Sequence, residues 1–337
     1  MPSRERALAR RGRGGFRRRT AILLVLMPLL ASVAVGIASA GNPPAATSIS
    51  ADDLARAGSQ IGLIHHSVGG ASVVELILPP RTTSRQLAIA PNGSAAALAD
   101  QYGPVAALLT VARTDGSQTR VNLPGLIGAG FATDGAWLAA IDGRGALWRV
   151  AAQSGAATLL ADGPFIGSPI IRSDGSLLLL SVPSVSAPIS STLVRLDPES
   201  GSLQALSDDR LVYSVFPLAD GSLAVAAHEV GRTVVRHVAG NRSDLVVDLG
   251  PGAVDVAVAS DGQQIAFARG RDVIYLPMPG GPAGRLGGGS SPRFAPDGSA
   301  LMILDGGTTR VLALDGSELA AYDAQAGFVA CAPGCGS

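Results

Sequence analysis

The chain has 337 residues, of which 47% are hydrophobic but only 4% aromatic, so its core must be built mainly from aliphatic side chains. All 26 basic residues are arginine, which excludes chemistry that needs a lysine, such as a P-loop or a Schiff base. The formal net charge is zero, but beyond residue 20 there are 18 arginines against 25 acidic residues, which argues against a nucleic-acid surface.

The first predicted element is an apolar segment at residues 21–40, which contains no charge and follows a stretch with eight arginines. It ends in Ala38-Ser39-Ala40, and this combination is typical of a secretory signal peptide. An uncleaved membrane anchor is the alternative, because twenty apolar residues just span a bilayer. Both interpretations place the rest of the chain outside the cytoplasm, either secreted or anchored by residues 21–40. Residues 41–59 are rich in Pro, Ala, Ser and Thr and predict a linker, so the folded domain spans 60–337.

The most informative feature of this domain is a turn that recurs six times between apolar runs. Successive turn glycines are 42, 40, 46, 41 and 36 residues apart, and they are Gly93, Gly135, Gly175, Gly221, Gly262 and Gly298. A period of about 40 residues with an Asp-Gly or Asn-Gly turn is typical of a β-propeller blade. We therefore predict an all-β fold whose blades are sheets of four antiparallel strands.

The two ends of the domain predict a seventh blade, although six turns alone indicate six blades. Residues 61–66 and 71–78 are interpreted as the second and third strands of a blade that lacks its first strand. Residues 327–334 look like a first strand, and Gly334 follows Gly298 by 36 residues. Joining these N- and C-terminal strands closes the ring and leaves no open sheet edge, so we expect seven blades and a monomer.

The repeat resembles the blades of TolB-type and WD-like β-propellers. The segment Ser291-Pro292-Arg293-Phe294-Ala295-Pro296-Asp297-Gly298 is similar to the TolB motif Pro-x-Phe-Ser-Pro-Asp-Gly, with alanine in place of the usual serine. The resemblance covers about residues 60–335. It implies the propeller fold and, for function, either a binding platform in the cell envelope or a gating domain attached to a peptidase. No α/β-hydrolase accompanies the repeats in this sequence.

Motifs that would indicate catalysis or metal binding are missing from the sequence. It contains no Gly-x-Ser-x-Gly, no His-x-His and no His-Glu-x-x-His, and its four histidines are His65, His66, His228 and His237. Strand alternation places His65 and His66 on opposite faces of their sheet. The aspartates of the turns are expected to bond nearby backbone N–H groups. We therefore expect no catalytic residue, no cofactor and no metal site.

Two cysteines, Cys331 and Cys335, lie near the end of the chain. A disulfide between them is favoured, because the predicted compartment permits it, and two free thiols are the alternative. Only three residues lie between the two cysteines, so the short closed loop would add little stability.

The face opposite the turns is the predicted binding face, because functional residues concentrate on loops held by a rigid scaffold. It comprises the connections between second and third strands, including residues 66–70 and 181–190. The longest connection, 181–190, is either a partner contact or an idle insertion. An ordinary solvated rim is the alternative for the face as a whole. The bulky polar candidates there are Asp100, Tyr102, Asp142, Arg144, His228, Glu229, Arg232, Arg269 and Arg271.

Two functions follow from these observations. The first is a non-enzymatic propeller that binds an envelope protein or an exported ligand through this face. The second is a propeller enzyme of the lactonase or glycan-acting type, with its site at the central channel. The scarcity of histidine and the lack of a metal motif favour the first. A structural module without a small-molecule site is a third interpretation. Membrane contact is expected only through an uncleaved residue 21–40 segment, and nucleic acid is not an expected partner.

Overall fold

The computed structural model describes residues 61–78, 85–102, 106–123, 125–185, 190–207, 211–240, 242–323 and 325–329. These residues form 27 β-strands and no helix. Their strands are short, rich in Val, Leu and Ala, and separated by glycine turns, as expected for an all-β chain. They pair into seven antiparallel sheets, which are the blades of a β-propeller. The predicted seven-bladed fold is confirmed, and the six-bladed alternative is wrong.

Six blades contain four strands each, ordered along the chain from the central channel outward. Blades 1 to 3 consist of β3 (Arg85–Ile89), β4 (Ala95–Tyr102), β5 (Ala106–Arg113) and β6 (Gln118–Asn122); β7 (Gly128–Phe131), β8 (Trp137–Ile141), β9 (Leu147–Ala151) and β10 (Ala157–Ala161); β11 (Phe165–Ile171), β12 (Leu177–Ser181), β13 (Thr192–Leu196) and β14 (Leu203–Ala205).

Blades 4 to 6 follow the same order. They consist of β15 (Leu211–Pro217), β16 (Leu223–Glu229), β17 (Arg232–Ala239) and β18 (Arg242–Gly250); β19 (Ala253–Val258), β20 (Gln264–Arg269), β21 (Asp272–Pro277) and β22 (Gly284–Gly288); β23 (Ser290–Phe294), β24 (Ala300–Asp305), β25 (Thr308–Ala313) and β26 (Glu318–Tyr322).

Blade 7 joins the two ends of the domain. It contains β1 (Gly62–Val68), β2 (Ala71–Ile77) and β27 (Gln325–Val329), with β2 in the middle. β27 pairs with β2 from Ser72↔Val329 to Leu76↔Gln325, and it lies against the inner strand β3 of blade 1. The C-terminal strand is therefore the inner strand, and the predicted closure of the ring is confirmed.

The order of the two N-terminal strands differs from the prediction. β2 occupies the second position and β1 the third, whereas residues 61–66 were expected to be second. Burial explains the exchange, because the middle strand of a sheet is covered on both edges. Val73, Val74 and Leu76 of β2 are completely buried, whereas β1 carries two histidines and the exposed Ser67.

The hydrophobic core is divided into seven clusters, one at each interface between neighbouring blades. The cluster between blades 7 and 1, for example, packs Leu63, Val74 and Val329 against Ile89 and Leu98. Seven interfaces for seven blades leave the ring without a gap. Ala, Val and Leu dominate these clusters, which is how the chain fills its core with few aromatic residues.

The six recurring turns connect the first and second strands of blades 1 to 6. Their glycines have φ between 69° and 84°, a region that only glycine enters freely. The residue before each glycine, aspartate in five turns and Asn92 in the first, accepts the backbone N–H two residues further on, as Asp134 does from Ala136 at 2.9 Å. At Asp220, hydrogen bonds from the Ser222 hydroxyl and N–H hold the pKa below its usual value. The expectation that these aspartates form turns is confirmed.

The described residues contain no helix long and apolar enough to cross a membrane. The proposed signal peptide or anchor, the linker and the Cys331–Cys335 pair all lie outside the described residues.

Candidate functional site

The propeller has two faces with different uses of polar groups. The turn face carries the six recurring turns, and the hairpin face carries the connections between second and third strands together with the starts of the inner strands. On the turn face, polar groups link neighbouring blades: Asn92 donates to the Asp134 carbonyl at 2.8 Å, and the Ser260 hydroxyl donates to the Pro296 carbonyl at 2.8 Å. These polar groups therefore stabilise the contacts between neighbouring blades.

All nine predicted candidates lie on the hairpin face, near ends of second strands or starts of third strands. Asp100 and Tyr102 belong to the last residues of β4. The connection at residues 66–70 lies instead on the turn face, because β2 is the second strand of blade 7. His65 Nε2 accordingly lies 3.1 Å from the carbonyl oxygen of Gly93, in the turn of blade 1. Residues 186–189 of the long connection lie outside the described residues.

Asp142 stabilises the hairpin of blade 2. Its carboxylate is 2% exposed and accepts hydrogen bonds from the N–H groups of Arg144 and Ala146 and from Trp148 Nε1. These contacts occupy both carboxylate oxygens. Arg144, at the tip, is largely exposed. Asp142 therefore stabilises the hairpin, and Arg144 is the exposed residue at the tip of that hairpin.

Ion pairs brace the hairpin of blade 4. Arg236 binds Glu229 through two hydrogen bonds, at 2.7 and 3.0 Å, and both side chains are partly buried. Arg232 binds Asp248 of β18 at 2.7 Å. The Arg236–Glu229 pair is bidentate, and bidentate pairs fix side-chain geometry more firmly than single contacts. The hairpin between β16 and β17 is thus held rigidly against the rest of its blade.

The arginines of blade 5 differ in their environments. Arg269 donates a hydrogen bond to the Leu249 carbonyl, and its guanidinium lies 5.2 Å from the ring centre of Phe267. These contacts tie Arg269 to blade 4 and to its own strand. Arg271 occupies the tip of the hairpin and is exposed. Both arginines are exposed, and these contacts hold Arg269 against the protein.

His228 is held in one orientation at the end of β16. Its Nδ1 lies 3.2 Å from the Thr233 hydroxyl, which donates its own proton to the Ala253 carbonyl at 2.6 Å. A hydroxyl has one proton, so Nδ1 must be the donor to Thr233 and Nε2 keeps its lone pair. Burial lowers the pKa of His228, against a smaller opposing contribution from the backbone of Arg232. The imidazole is therefore a neutral acceptor at neutral pH.

Tyr213 lies beside this histidine on the inner strand β15. The two rings stack at 4.7 Å with an interplanar angle of 26°. The Tyr213 hydroxyl lies near Thr233, but no hydrogen bond of normal geometry reaches it from the described residues. Burial raises the pKa of the phenol, and the Asp255 carboxylate adds to the shift. Tyr213 is thus a protonated donor next to the acceptor His228.

Asp255 and Arg293 complete the group from the inner strands of blades 5 and 6. Burial raises the pKa of Asp255, although a hydrogen bond from Ser291 and the charge of Arg293 oppose the rise. Asp255 and Ser291 both adopt positive φ, at 49° and 51°, each seven residues before a turn glycine. We call Tyr213, His228, Thr233, Asp255 and Arg293 the channel-mouth cluster. Tyr213, Asp255 and Arg293 lie on the inner strands β15, β19 and β23, and His228 and Thr233 lie beside them at the hairpin ends of β16 and β17.

Of this cluster, only His228 was a candidate in the sequence analysis. A usable signal existed at Asp255, because a lone acidic residue interrupts the apolar inner strand Ala-Val-Asp-Val-Ala-Val. Nothing local marks Tyr213 or Thr233, whose roles depend on contacts between blades. Ser291 and Arg293 lay inside the TolB-like motif and were interpreted only as part of the fold.

A narrow pocket adjoins the cluster between β11 and β15. Gly167, Ser168, Leu180, Tyr213 and Val215 are among its lining residues. It has room for about one water molecule. On the neighbouring side, β7 packs directly on the backbone of β11, so a Cβ at Gly130 would lie 2.0 Å from the Pro169 carbonyl oxygen. The inner strands of blades 2 and 3 are therefore in direct contact.

The remaining histidines have ordinary structural partners. His66 Nε2 lies 2.8 Å from Glu75 Oε2, and its ring packs 5.0 Å from that of Tyr322. His65 and His66 thus contact opposite sides of their sheet, as alternation predicts. His237 Nε2 lies 2.7 Å from the Ser222 hydroxyl. Across the described ranges, no group of three His, Cys, Asp or Glu side chains is placed to hold a metal ion.

Comparisons with known proteins support the architecture. No protein-family model and no curated protein matches the chain. Among solved structures, TolB from Acinetobacter baumannii has a TM-score of 0.51 at 16% identity, covering 83% of this chain and 84% of that one. The Cps50 (Swd1) β-propeller domain from Myceliophteria thermophila has a TM-score of 0.50 at 12% identity, covering 79% and 97%. The tricorn protease has a TM-score of 0.55 at 10% identity, covering 80% and 34%. At these identities the likeness shows the fold alone, and the predicted similarity to TolB-type and WD-like propellers is confirmed at that level.

Proposed function

We propose that this protein is a non-enzymatic binding platform outside the cytoplasm, which holds an envelope protein or an exported ligand on its hairpin face over blades 4 to 6. The channel-mouth cluster is the observation that carries this proposal. It gathers a phenol donor, an imidazole acceptor, a carboxyl group and a guanidinium from three blades. Convergent polar groups of this kind orient ligands in binding sites.

The carboxyl group of Asp255 supports a role beyond the scaffold. A partly buried carboxyl group is unfavourable because desolvation disfavours its charge. Desolvated carboxyl groups with a specific charged partner are found more often at functional sites. A glycine or an asparagine at this position would allow the same backbone conformation without a desolvated carboxyl group.

The proposed location rests on the N-terminal sequence. The arginine-rich stretch and the apolar residues 21–40 support export or anchoring, as argued above. Mass spectrometry of the mature protein tests this. A chain that starts at Gly41 supports secretion, and an intact chain in the membrane fraction supports an anchor. An intact chain in the cytosol would contradict both.

The test of binding uses the tagged full-length protein and an envelope extract of its own organism. We expect the double variant His228→Gln/Asp255→Asn to lose the proteins or small molecules that the wild type retains. The matched control is Asp220→Asn/Asp297→Asn on the turn face, because asparagine can still accept the backbone N–H of each turn. Equal retention by all three folded proteins would contradict the proposal.

An enzyme at the channel mouth is the second candidate function. The observation that favours it is the neutral His228 stacked on the protonated Tyr213, because an imidazole and a phenol are a base and acid pair used in acid–base catalysis. The test is turnover of lactone and glycan substrates by the full-length protein. Turnover that disappears in both His228→Gln and Tyr213→Phe would support the enzyme and displace the non-enzymatic platform.

A further inference from the structure

The hairpin of blade 4 contains an unusual residue at its tip. Glu229 pairs with Arg232, so Val230 and Gly231 form a two-residue turn, and both have positive φ, at 48° and 76°. A β-branched residue is a rare outlier in this region, where glycine or asparagine is normal. The corresponding first turn positions in blades 5 and 6 are Gly270 and Gly306. Valine is therefore the exception among three equivalent hairpins.

Packing does not explain this valine. Its side chain is 102% exposed, so it contacts nothing that would offset the backbone strain. The hairpin beneath it is nevertheless braced by the Glu229–Arg236 and Arg232–Asp248 ion pairs. A strained, fully exposed apolar side chain on a rigid support is expected where that side chain has a contact to make in a complex.

Two neighbouring hairpins extend the same surface. Arg271 is exposed at the tip of blade 5, and Leu304 is 41% exposed where β24 reaches the hairpin face in blade 6. Val230, Arg271 and Leu304 thus alternate apolar, basic and apolar side chains across three consecutive blades. We call these three residues the docking strip. Two apolar side chains separated by an arginine offer too little apolar area for membrane insertion, whereas they suit a protein surface.

We infer that the docking strip is a protein-binding site, and that its partner presents an apolar pocket for Val230 with acidic groups that meet Arg271. Charge complementarity selects this partner, because the exposed tip of blade 5 is cationic. The inference deepens the proposed function by assigning a protein partner to the hairpin face. It depends on Val230, Arg271 and Leu304 on the hairpins, and none of these residues belongs to the channel-mouth cluster.

The test combines a stability measurement with site-specific crosslinking. Val230→Asn creates an Asn-Gly turn, so we expect the melting temperature to rise by about 2–4 °C. We also expect this variant and Arg271→Glu each to reduce the yield of the crosslinked partner at least tenfold. The control is Leu203→Asn on the outer strand β14, since Leu203 is 52% exposed but lies away from the strip. The probe is a photoreactive benzophenone amino acid at Leu304 of the full-length protein, activated in envelope extract.

The expected result is one protein adduct that disappears with Val230→Asn and Arg271→Glu and persists with Leu203→Asn. A lipid adduct, an adduct with a second copy of this chain, or a protein adduct unaffected by Val230→Asn would overturn the inference. A melting temperature that falls with Val230→Asn would remove the argument from strain. Val230→Asn does not alter the channel-mouth cluster. Retention of small molecules by that cluster therefore tests the proposed function separately, even if the docking strip binds no protein.

Discussion

The backbone N–H of Ser291 donates to Asp255 Oδ2 at 3.1 Å, and this hydrogen bond joins the inner strands of blades 5 and 6. Both residues have positive φ and lie at irregularities in strand pairing, between Val254 and Ala257 and between Ser290 and Arg293. Bulges of this kind redirect side chains next to functional sites. Here the carboxyl group of one blade is fixed against the backbone of the next at the channel mouth.

Asp255 is expected to make stability fall as pH rises. Its pKa is raised above 3.8 by burial, so between 3.8 and the folded value the folded state binds more protons than the unfolded state. Its contribution is therefore present at low pH and is lost as pH rises through that window. Urea unfolding of the wild type and of Asp255→Asn from pH 3 to pH 7 measures this. A stability difference that does not change with pH would contradict the assignment.

His228 is expected to titrate below its usual pKa of 6.5, because burial disfavours the charged ring. The sign is opposite to that of Asp255: the stability contribution is complete above 6.5 and decreases as pH falls, since the unfolded state then binds more protons. NMR of the imidazole protons, assigned with His228→Gln, measures this value. A pKa at or above 6.5 would indicate an exposed ring and would remove the acceptor role of Nε2.

Thr233 is expected to join blades 4 and 5 through its hydroxyl. Thr233→Val keeps the shape but leaves the Ala253 carbonyl without this donor, so we expect a loss of about 1–3 kcal/mol of unfolding free energy. Thr233→Ser keeps the hydroxyl and should lose less than half as much. Chemical denaturation distinguishes the two, and equal losses would show that the methyl group, and not the hydrogen bond, matters.

Asp142 is expected to act as a structural residue. Asp142→Ala removes a buried acceptor of three hydrogen bonds, and we expect a loss of about 3 kcal/mol. Arg144→Ala, at the exposed tip of the same hairpin, should change stability by no more than about 0.5 kcal/mol. Thermal unfolding measures both. A small effect of Asp142→Ala would return this carboxylate to the set of binding candidates.

Gly130 is expected to be required where β7 meets β11. An added Cβ would lie 2.0 Å from the Pro169 carbonyl oxygen, which is backbone and cannot rotate away, so Gly130→Ala should cost about 3 kcal/mol or more. Gly284→Ala is the matched control, because no atom lies within 4 Å of a Cβ there. Comparable stability of the two variants would show that the inner strands separate easily.

The sequence was sufficient to predict the architecture because the turns are local. An Asp-Gly pair between apolar runs defines a hairpin without reference to other blades, and six copies define the period. The order of β1 and β2 could not be predicted in this way. Both strands are apolar, and the choice depends on which one β27 pairs with, 249 residues away in the case of Leu76 and Gln325.

Only the exposed loop residues of the candidate site could be predicted from the sequence. His228, Arg232 and Arg271 belong to loops whose position follows from the repeat. His228 stacks on Tyr213 of the adjacent strand β15 and contacts Thr233, whose hydroxyl reaches the next blade. Contacts of this kind depend on side-chain packing within and between blades, which the repeat period does not specify. Asp142 shows the same limit, since only the folded hairpin reveals that its carboxylate is already occupied.

Hydrogen–deuterium exchange tests most directly whether the hairpin face over blades 4 to 6 is the binding face. Exchange is measured on the full-length protein with and without the partner that it retains from an envelope extract. We expect protection at residues 228–232, 269–272 and 305–308, with no change at the six recurring turns. Protection confined to those turns, or to the outer strands, would contradict this expectation.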